Sequence, residues 1–272
     1  MANDQDIERY LFGQALYGDD LAPEEIANWI KDEENAYISL TKSYGNYAYA
    51  YHALNQFHGF RYLAGMAFDH ALAFGCARGD EVEPIAERVA RFTAMEPADG
   101  FWTDTIAGTP ARYLKPNPNG DIPSADREFS LITCLGVLHH IPNVSHILSE
   151  FHRVLAPGGM LVMREPISSM GDWRKKRRGL TKRERGLPIE YLDRVLPQLG
   201  FIILQERFCM FPLTSRLARI LREPCPFNNK KLVLLDAVLS GLFKFNLHYH
   251  RDKMWKKIAP GSIFLVAQKK AP

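Results

Sequence analysis

The residues with the clearest chemical reach lie between Gly75 and Glu96. The turn Gly75-Cys76-Ala77-Arg78-Gly79 follows a short apolar run, Ala71–Phe74, and a second run, Arg91–Met95, stops at the acid Glu96. Small residues in such a turn let the backbone approach a ligand that larger side chains would hold off. A strand, a tight turn, a helix and a parallel strand in this order form a unit that binds a nucleoside-containing ligand at the carboxyl edge of a sheet. Other reactive groups recur further on. His139-His140 precedes Ile141-Pro142, and Glu165 follows the apolar run Met160–Met163. His248-Tyr249-His250 has the spacing of two metal ligands, but no third ligand can be named, so no metal is assigned. A basic run, Arg174-Lys-Lys-Arg-Arg178, continues through Lys182, Arg183 and Arg185 and suits either an anionic ligand or a solvated loop.

The elements that would position these groups alternate. Residues 1–70 read as helical, with Pro23, Glu24 and Glu25 opening one helix and tyrosines 37, 44, 47, 49 and 51 clustered after it, suited to a lid or to packing on the sheet. Asp80–Arg91 reads as an α-helix that Asp80 can cap, with Pro84 in its first turn. Strands are expected at Ala71–Phe74, Arg91–Met95, Ala111–Leu114, Phe129–Cys134, Met160–Met163, Phe201–Leu204 and Ser262–Ala267, with helices at Val144–Leu155 and Pro188–Leu199. Strands alternating with helices argue an α/β fold with a parallel sheet covered on both faces. The stretch from Phe211 to Lys257 is too long for a plain connection and should form a helical subdomain.

Bulk properties set limits. The 272 residues are 46% hydrophobic and 24% charged, with a net charge of +3, which makes no case for nucleic acid. Cys76, Cys134, Cys209 and Cys225 show no paired spacing, as expected of free thiols in a reducing cytoplasm. The first residues lack an apolar signal core, and the longest apolar run, Leu232–Leu247, is interrupted by charge and too short to span a bilayer.

Seven segments taken together carry a resemblance. Phe74-Gly-Cys-Ala-Arg-Gly79, Met95-Glu-Pro97, Ile122-Pro123, Phe129-Ser-Leu-Ile132, Val137-Leu-His-His140, Arg153-Val-Leu-Ala-Pro-Gly-Gly159 and Leu161-Val-Met-Arg-Glu-Pro166 resemble the class I S-adenosylmethionine-dependent methyltransferases. The likeness covers roughly residues 65–205 and the last strand. It implies a doubly wound, mostly parallel, seven-stranded Rossmann-like sheet whose last strand runs antiparallel beside Phe201–Leu204, with helical additions. The expected parts are a helical region 1–64, a core 65–210, a helical cap 211–258 and the last strand in 259–272.

The resemblance also implies roles. S-adenosylmethionine, leaving as S-adenosylhomocysteine, would lie on Gly75, Cys76, Ala77 and Gly79. Glu96 would take both ribose hydroxyls as a charge-assisted acceptor, and Pro97 would stiffen the turn behind it. Asn117 or Asn119 would meet the adenine, and backbone groups of Cys134 and Leu135 the methionine part. His139 or His140 could act as base for an oxygen or nitrogen nucleophile, with Glu165 orienting a hydroxyl or that base. Two departures stand out: Ala73 replaces the usual acid that helps hold the ammonium group, and Ala77 replaces a glycine. Arg78 beside it could pair with the cofactor's carboxylate. The expected function is methyl transfer to an O or N atom of a small-molecule or saccharide-type acceptor, which the basic run would suit were it anionic, with no nucleic-acid partner. A methyltransferase-like binding or scaffold protein is the alternative. A nicotinamide dehydrogenase is disfavoured because its fingerprint needs a glycine at position 77.

Overall fold

The computed structural model describes residues 4–41, 49–117, 119–173, 175, 177 and 179–271. Helices α1 (Asp4–Leu11), α2 (Pro23–Thr41) and α3 (His52–His58) precede strand β1 (Ala71–Phe74). Then follow β2 (Phe92–Met95), β3 (Thr105–Ile106), β4 (Thr109–Leu114), β5 (Phe129–Leu135), α4 (Val144–Val154), β6 (Leu155–Pro166), α5 (Ile189–Gln198) and β7 (Phe201–Cys209). The chain closes with α6 (Pro212–Ile220), α7 (Lys230–Leu242) and β8 (Ser262–Lys269).

The strands form one sheet in the order β3-β4-β2-β1-β5-β6-β8-β7. Strands β4, β2, β1, β5 and β6 are parallel, and β8 is antiparallel to both β6 and β7. Eight strands stand where seven were expected. The addition is the two-residue β3, which pairs antiparallel with β4 at the edge. From β1 the chain builds outward through β2 and β4, then returns to place β5 on the other side. That reversal opens a crevice at the carboxyl ends of β1 and β5.

Alternation along the strands divides the interior into two cores. Leu72, Phe74, Ile132, Leu161, Met163 and Leu265 face α4 and α5. Ala71, Ala73, Leu131, Val162, Phe264 and Val266 face α3 and the segment after β1. Helix α4 buries Val144, Ile147, Leu148, Phe151 and Val154, a one-sided stripe at helical spacing.

Three local readings need correction. Asp80–Arg88 is a 3-10 helix, not an α-helix. Pro84 lacks the N–H that an i→i−4 ladder needs, and its ring crowds the carbonyl four residues back. Its N-cap is Gly79, at φ +81°, and no side chain caps it. Strand β7 runs to Cys209 rather than Leu204, because β8 is long enough to pair with all of it. Between β7 and β8 lie α6 and α7, and α7 packs on β7 and α3. Its anchor is Asp236, fully buried, which accepts from the Met210 amide (2.8 Å), the Phe211 amide (2.7 Å) and the Thr214 hydroxyl (2.7 Å). Asp236→Ala strands these three donors and should cost roughly 2–4 kcal/mol of stability. Urea unfolding measures this, and a loss below about 0.5 kcal/mol would show the three bonds to be dispensable.

Candidate active site

A cavity of about 720 Å³ opens at the carboxyl edge where β1, β2, β5 and β6 end. Its floor is the Gly75 turn. Gly75 has φ +67°, and a Cβ there would lie 2.4 Å from Val137 Cγ1, so only glycine fits. Ala77 also adopts a left-handed backbone, φ +49°, unfavourable for a side-chain-bearing residue. Two bonds hold it there: its amide donates to Glu96 Oε2 (2.9 Å), and its carbonyl accepts from the Tyr113 hydroxyl (3.0 Å).

Glu96 is 5% exposed and its other oxygen takes the Ala98 amide (3.0 Å). Burial raises its pKa, opposed by these two amides. Each oxygen keeps a lone pair for a further donor. Pro97 and Asn117 line the same end of the cavity, and Cys76 and Ala77 the turn. Gly79 does not line it. A Cβ there would meet Ile106 at 2.6 Å, so its role is packing under β3. Arg78 does not line it either. Cys134 is fully buried inside β5, its Sγ 3.8 Å from Glu165 Oε1, and contributes no surface. Leu135, Gly136 and Val137 line the cavity instead.

The other end is built around Glu165, fully buried at the end of β6. Its Oε1 accepts from the Val137 and Leu138 amides (both 2.9 Å), and its Oε2 accepts from the His139 amide (3.3 Å) and His139 Nδ1 (2.8 Å). Burial would raise its pKa, but His139 and the amides outweigh that and lower it. Burial lowers the pKa of His139, helped by His140, against the pull of Glu165 and Glu184. An ionised Glu165 accepts only, so neutral His139 carries its proton on Nδ1 and presents a lone pair at Nε2. That atom lies 3.7 Å from Glu184 Oε1. The His140 ring stands 4.0 Å from the His139 ring, with its Nδ1 3.2 Å from Glu33 Oε2. His139, His140 and Glu165 therefore converge with Glu96 on one cavity.

Helix α2 closes this end. Trp29, fully buried, donates from Nε1 to the His140 carbonyl (2.7 Å), and Ile30 and Glu33 line the cavity. Of the tyrosine cluster, Tyr49 and Tyr51 line the cavity, while residues 44 and 47 and the side chain of 37 lie outside the described residues.

Among the described residues of the basic run, Arg177, Arg183 and Arg185 are engaged within the protein, while Lys175 and Lys182 are exposed beside Asp172 and Asp32. Arg185 is fully buried and donates to the carbonyls of Tyr17, Leu138 and Ile141. Arg177 donates to the carbonyls of Met170, Thr181, Lys182 and Glu184, and Arg183 pairs with Asp32. Arg174, Lys176 and Arg178 lie outside the described residues. His250 Nδ1 bonds the Ser169 hydroxyl (2.8 Å) and His248 packs on Trp255, so the two do not converge on one point. Among the described residues, the group close enough to share an ion is His139, His140 and Glu184.

Sequence reading missed Glu33, Glu81 and Arg164, all buried and lining the cavity. Glu33 was findable, one helical turn after Trp29 on the same face. Arg164 was visible as a cation directly following a buried apolar run.

The family described as a methyltransferase domain matches residues 72–163. The ubiquinone biosynthesis O-methyltransferase of Pseudomonas aeruginosa (strain UCBPP-PA14) is 25% identical over 105 residues, 37% of this chain and 45% of that protein. The chain thus spans less than half the length of the curated relatives it matches. An S-adenosylmethionine-dependent methyltransferase from Mesorhizobium loti has a TM-score of 0.50 at 14% identity, over 79% of this chain and 97% of that one. One from Archaeoglobus fulgidus has a TM-score of 0.50 at 13% identity, over 80% and 92%. Likeness at such identity is a likeness of fold. Residues 72–163 thus match a methyltransferase-domain family, in a chain whose fold is like that of the class I S-adenosylmethionine-dependent methyltransferases.

Proposed function

We propose that this protein transfers a methyl group from S-adenosylmethionine to an oxygen or nitrogen of a small-molecule acceptor. One observation supports this most directly: a single cavity joins a nucleoside-sized end at Gly75 and Glu96 to an acid–base end at His139. The residues present fit the cofactor. The Gly75 turn offers close backbone approach, Glu96 has spare lone pairs for two ribose hydroxyls, and Asn117 has an amide for the adenine edge. When bound, the cofactor supplies the activated methyl on its sulfonium, so the protein's work is alignment and exclusion of water.

At the other end, His139 Nε2 can take the acceptor's proton. The imidazolium so formed would sit between Glu165 and Glu184, two carboxylates that stabilise it. Glu165 is a positioning residue, since its oxygens are engaged by His139 and three amides. Ile30, Ile141, Pro142 and Met170 give this end apolar walls, suiting a compact acceptor with few polar groups. The relative's O-methyltransferase name favours oxygen as the acceptor atom. The described arginines of the basic run are committed to internal bonds, which weakens the case for an anionic acceptor. The binding-protein alternative would be favoured by a blocked turn, yet Gly75, Cys76 and Ala77 line open space.

Glu96→Gln should weaken S-adenosylhomocysteine binding roughly 100-fold in calorimetry, through loss of charge-assisted bonds to the ribose. Unchanged affinity would refute the ribose assignment. His139→Ala should lower kcat ~10²-fold or more with hydroxylated acceptors, while leaving S-adenosylhomocysteine affinity within about threefold. Because His139 must be neutral and its pKa is lowered, activity should persist through the ordinary histidine range and fall only at more acid pH. An acid limb at or above that range would remove His139 as the base.

A further inference from the structure

The cavity holds a buried acid and a buried cation that neither the ribose contact nor the proton transfer uses. Glu81, on the 3-10 helix after the Gly75 turn, is 6% exposed and lines the cavity. Its Oε1 has no hydrogen-bond partner among the described residues. Glu96, by contrast, has both oxygens on backbone amides. A buried carboxylate oxygen without a donor is costly and marks a place where a donor is meant to arrive.

Arg164, 7% exposed near the end of β6, faces the same space. Asn55 Oδ1 (3.1 Å) and the Leu135 carbonyl (3.3 Å) each accept from one of its terminal nitrogens, and its guanidinium lies 4.3 Å from the centre of the Tyr51 ring. Nη2 would stand 3.5 Å from a Cβ at Gly136, so the missing side chain there leaves the guanidinium open to the cavity. Arg164 and Glu81 interact through charge, though no direct hydrogen bond joins them. Ala73 of β1 is apolar and fully buried in the core.

We propose that Glu81 and Arg164 form a zwitterion site that holds the α-ammonium and α-carboxylate of the cofactor's methionine part, Glu81 taking the ammonium and Arg164 the carboxylate. This rests on the S-adenosylmethionine reading above and assigns residues to the part of the ligand furthest from Glu96. The pairing is complementary. An ammonium offers three donors to an acceptor-only carboxylate, and a guanidinium presents a fork to a carboxylate.

Glu81 also links binding to protons. Its pKa is pushed up to about 8, by burial first, against the pull of Arg164 from β6 and with Glu96 and Asp80 adding to it. The Cys76 and Cys134 thiols nearby are held neutral by burial, which raises their pKa values. The free protein near pH 7 therefore carries a largely protonated Glu81, and an arriving ammonium favours its ionised form. Binding should release close to one proton and tighten as pH rises toward 8.

The test compares S-adenosylhomocysteine with 5′-methylthioadenosine, which lacks the amino-acid end, by calorimetry on the full chain. Glu81→Gln should weaken S-adenosylhomocysteine at least ~10-fold while moving methylthioadenosine by less than about twofold. Titration of S-adenosylhomocysteine at pH 7 in two buffers of different ionisation enthalpy should show proton release for the unaltered protein and none for Glu81→Gln. Glu81→Leu, which suits an apolar surrounding, gives a second variant should the first fold poorly. Arg164→Gln should repeat the selective loss. Equal loss of both ligands, or no loss of either, would overturn the zwitterion site while leaving the cofactor reading in place. Failure of both nucleosides to bind the unaltered protein would remove both.

Discussion

Glu165 is the point on which the carboxyl edge of the sheet depends. Its buried carboxylate takes three consecutive amides, Val137 to His139, and the His139 ring. Alone in such surroundings a carboxylate would be expelled or protonated; four donors make it stable and ionised. The end of β6 is thereby bound to the turn after β5, and the His139 tautomer is fixed. The same turn is gripped from outside by Arg185 through the Leu138 and Ile141 carbonyls, and by Trp29 through the His140 carbonyl. Helix α2 and the segment carrying Arg185 thus reach the reactive end of the cavity through backbone carbonyls.

Glu96 does the equivalent at the other end, holding Ala77 in a left-handed conformation that glycine would adopt freely. The alanine at this position is accommodated rather than disruptive, because its amide and carbonyl both have side-chain partners. The cavity is therefore polar at defined points on an apolar frame: the acid Glu96, the buried Glu81 and Arg164, and a histidine between two carboxylates. Glu96, Arg164, Glu165 and His139 sit at strand ends or on the turns that follow them, where the fold brings independent segments together.

Much of this was legible in the sequence. Short apolar runs gave the strands, and the turn from Gly75 to Gly79 gave the ligand-facing edge. The failures have physical causes. Strand alternation, carried through to Leu135, turns the Cys134 side chain into the core on the face of Ile132, so that it is the next residues, Leu135 to Val137, that line the cavity. Pro84 was read as tolerable in a first turn of an α-helix, but the segment that holds it is a 3-10 helix. The basic run was open to two readings, an anionic ligand or a solvated loop, because composition cannot distinguish a solvated arginine from one satisfied by carbonyls. Glu81 was hidden among the acids common in first helical turns. Only the packing of the turn against β5 and β6 shows that it is buried.

The proposed place of the sulfonium nucleoside is the cavity between Gly75 and Glu96. A crystal structure of the chain grown with S-adenosylhomocysteine tests it most directly. The expected result is the ribose on the Glu96 carboxylate, the adenine beside Asn117, and the thioether sulfur directed toward His139. A nucleoside bound elsewhere, or a cavity without ligand at saturating concentration, would contradict it.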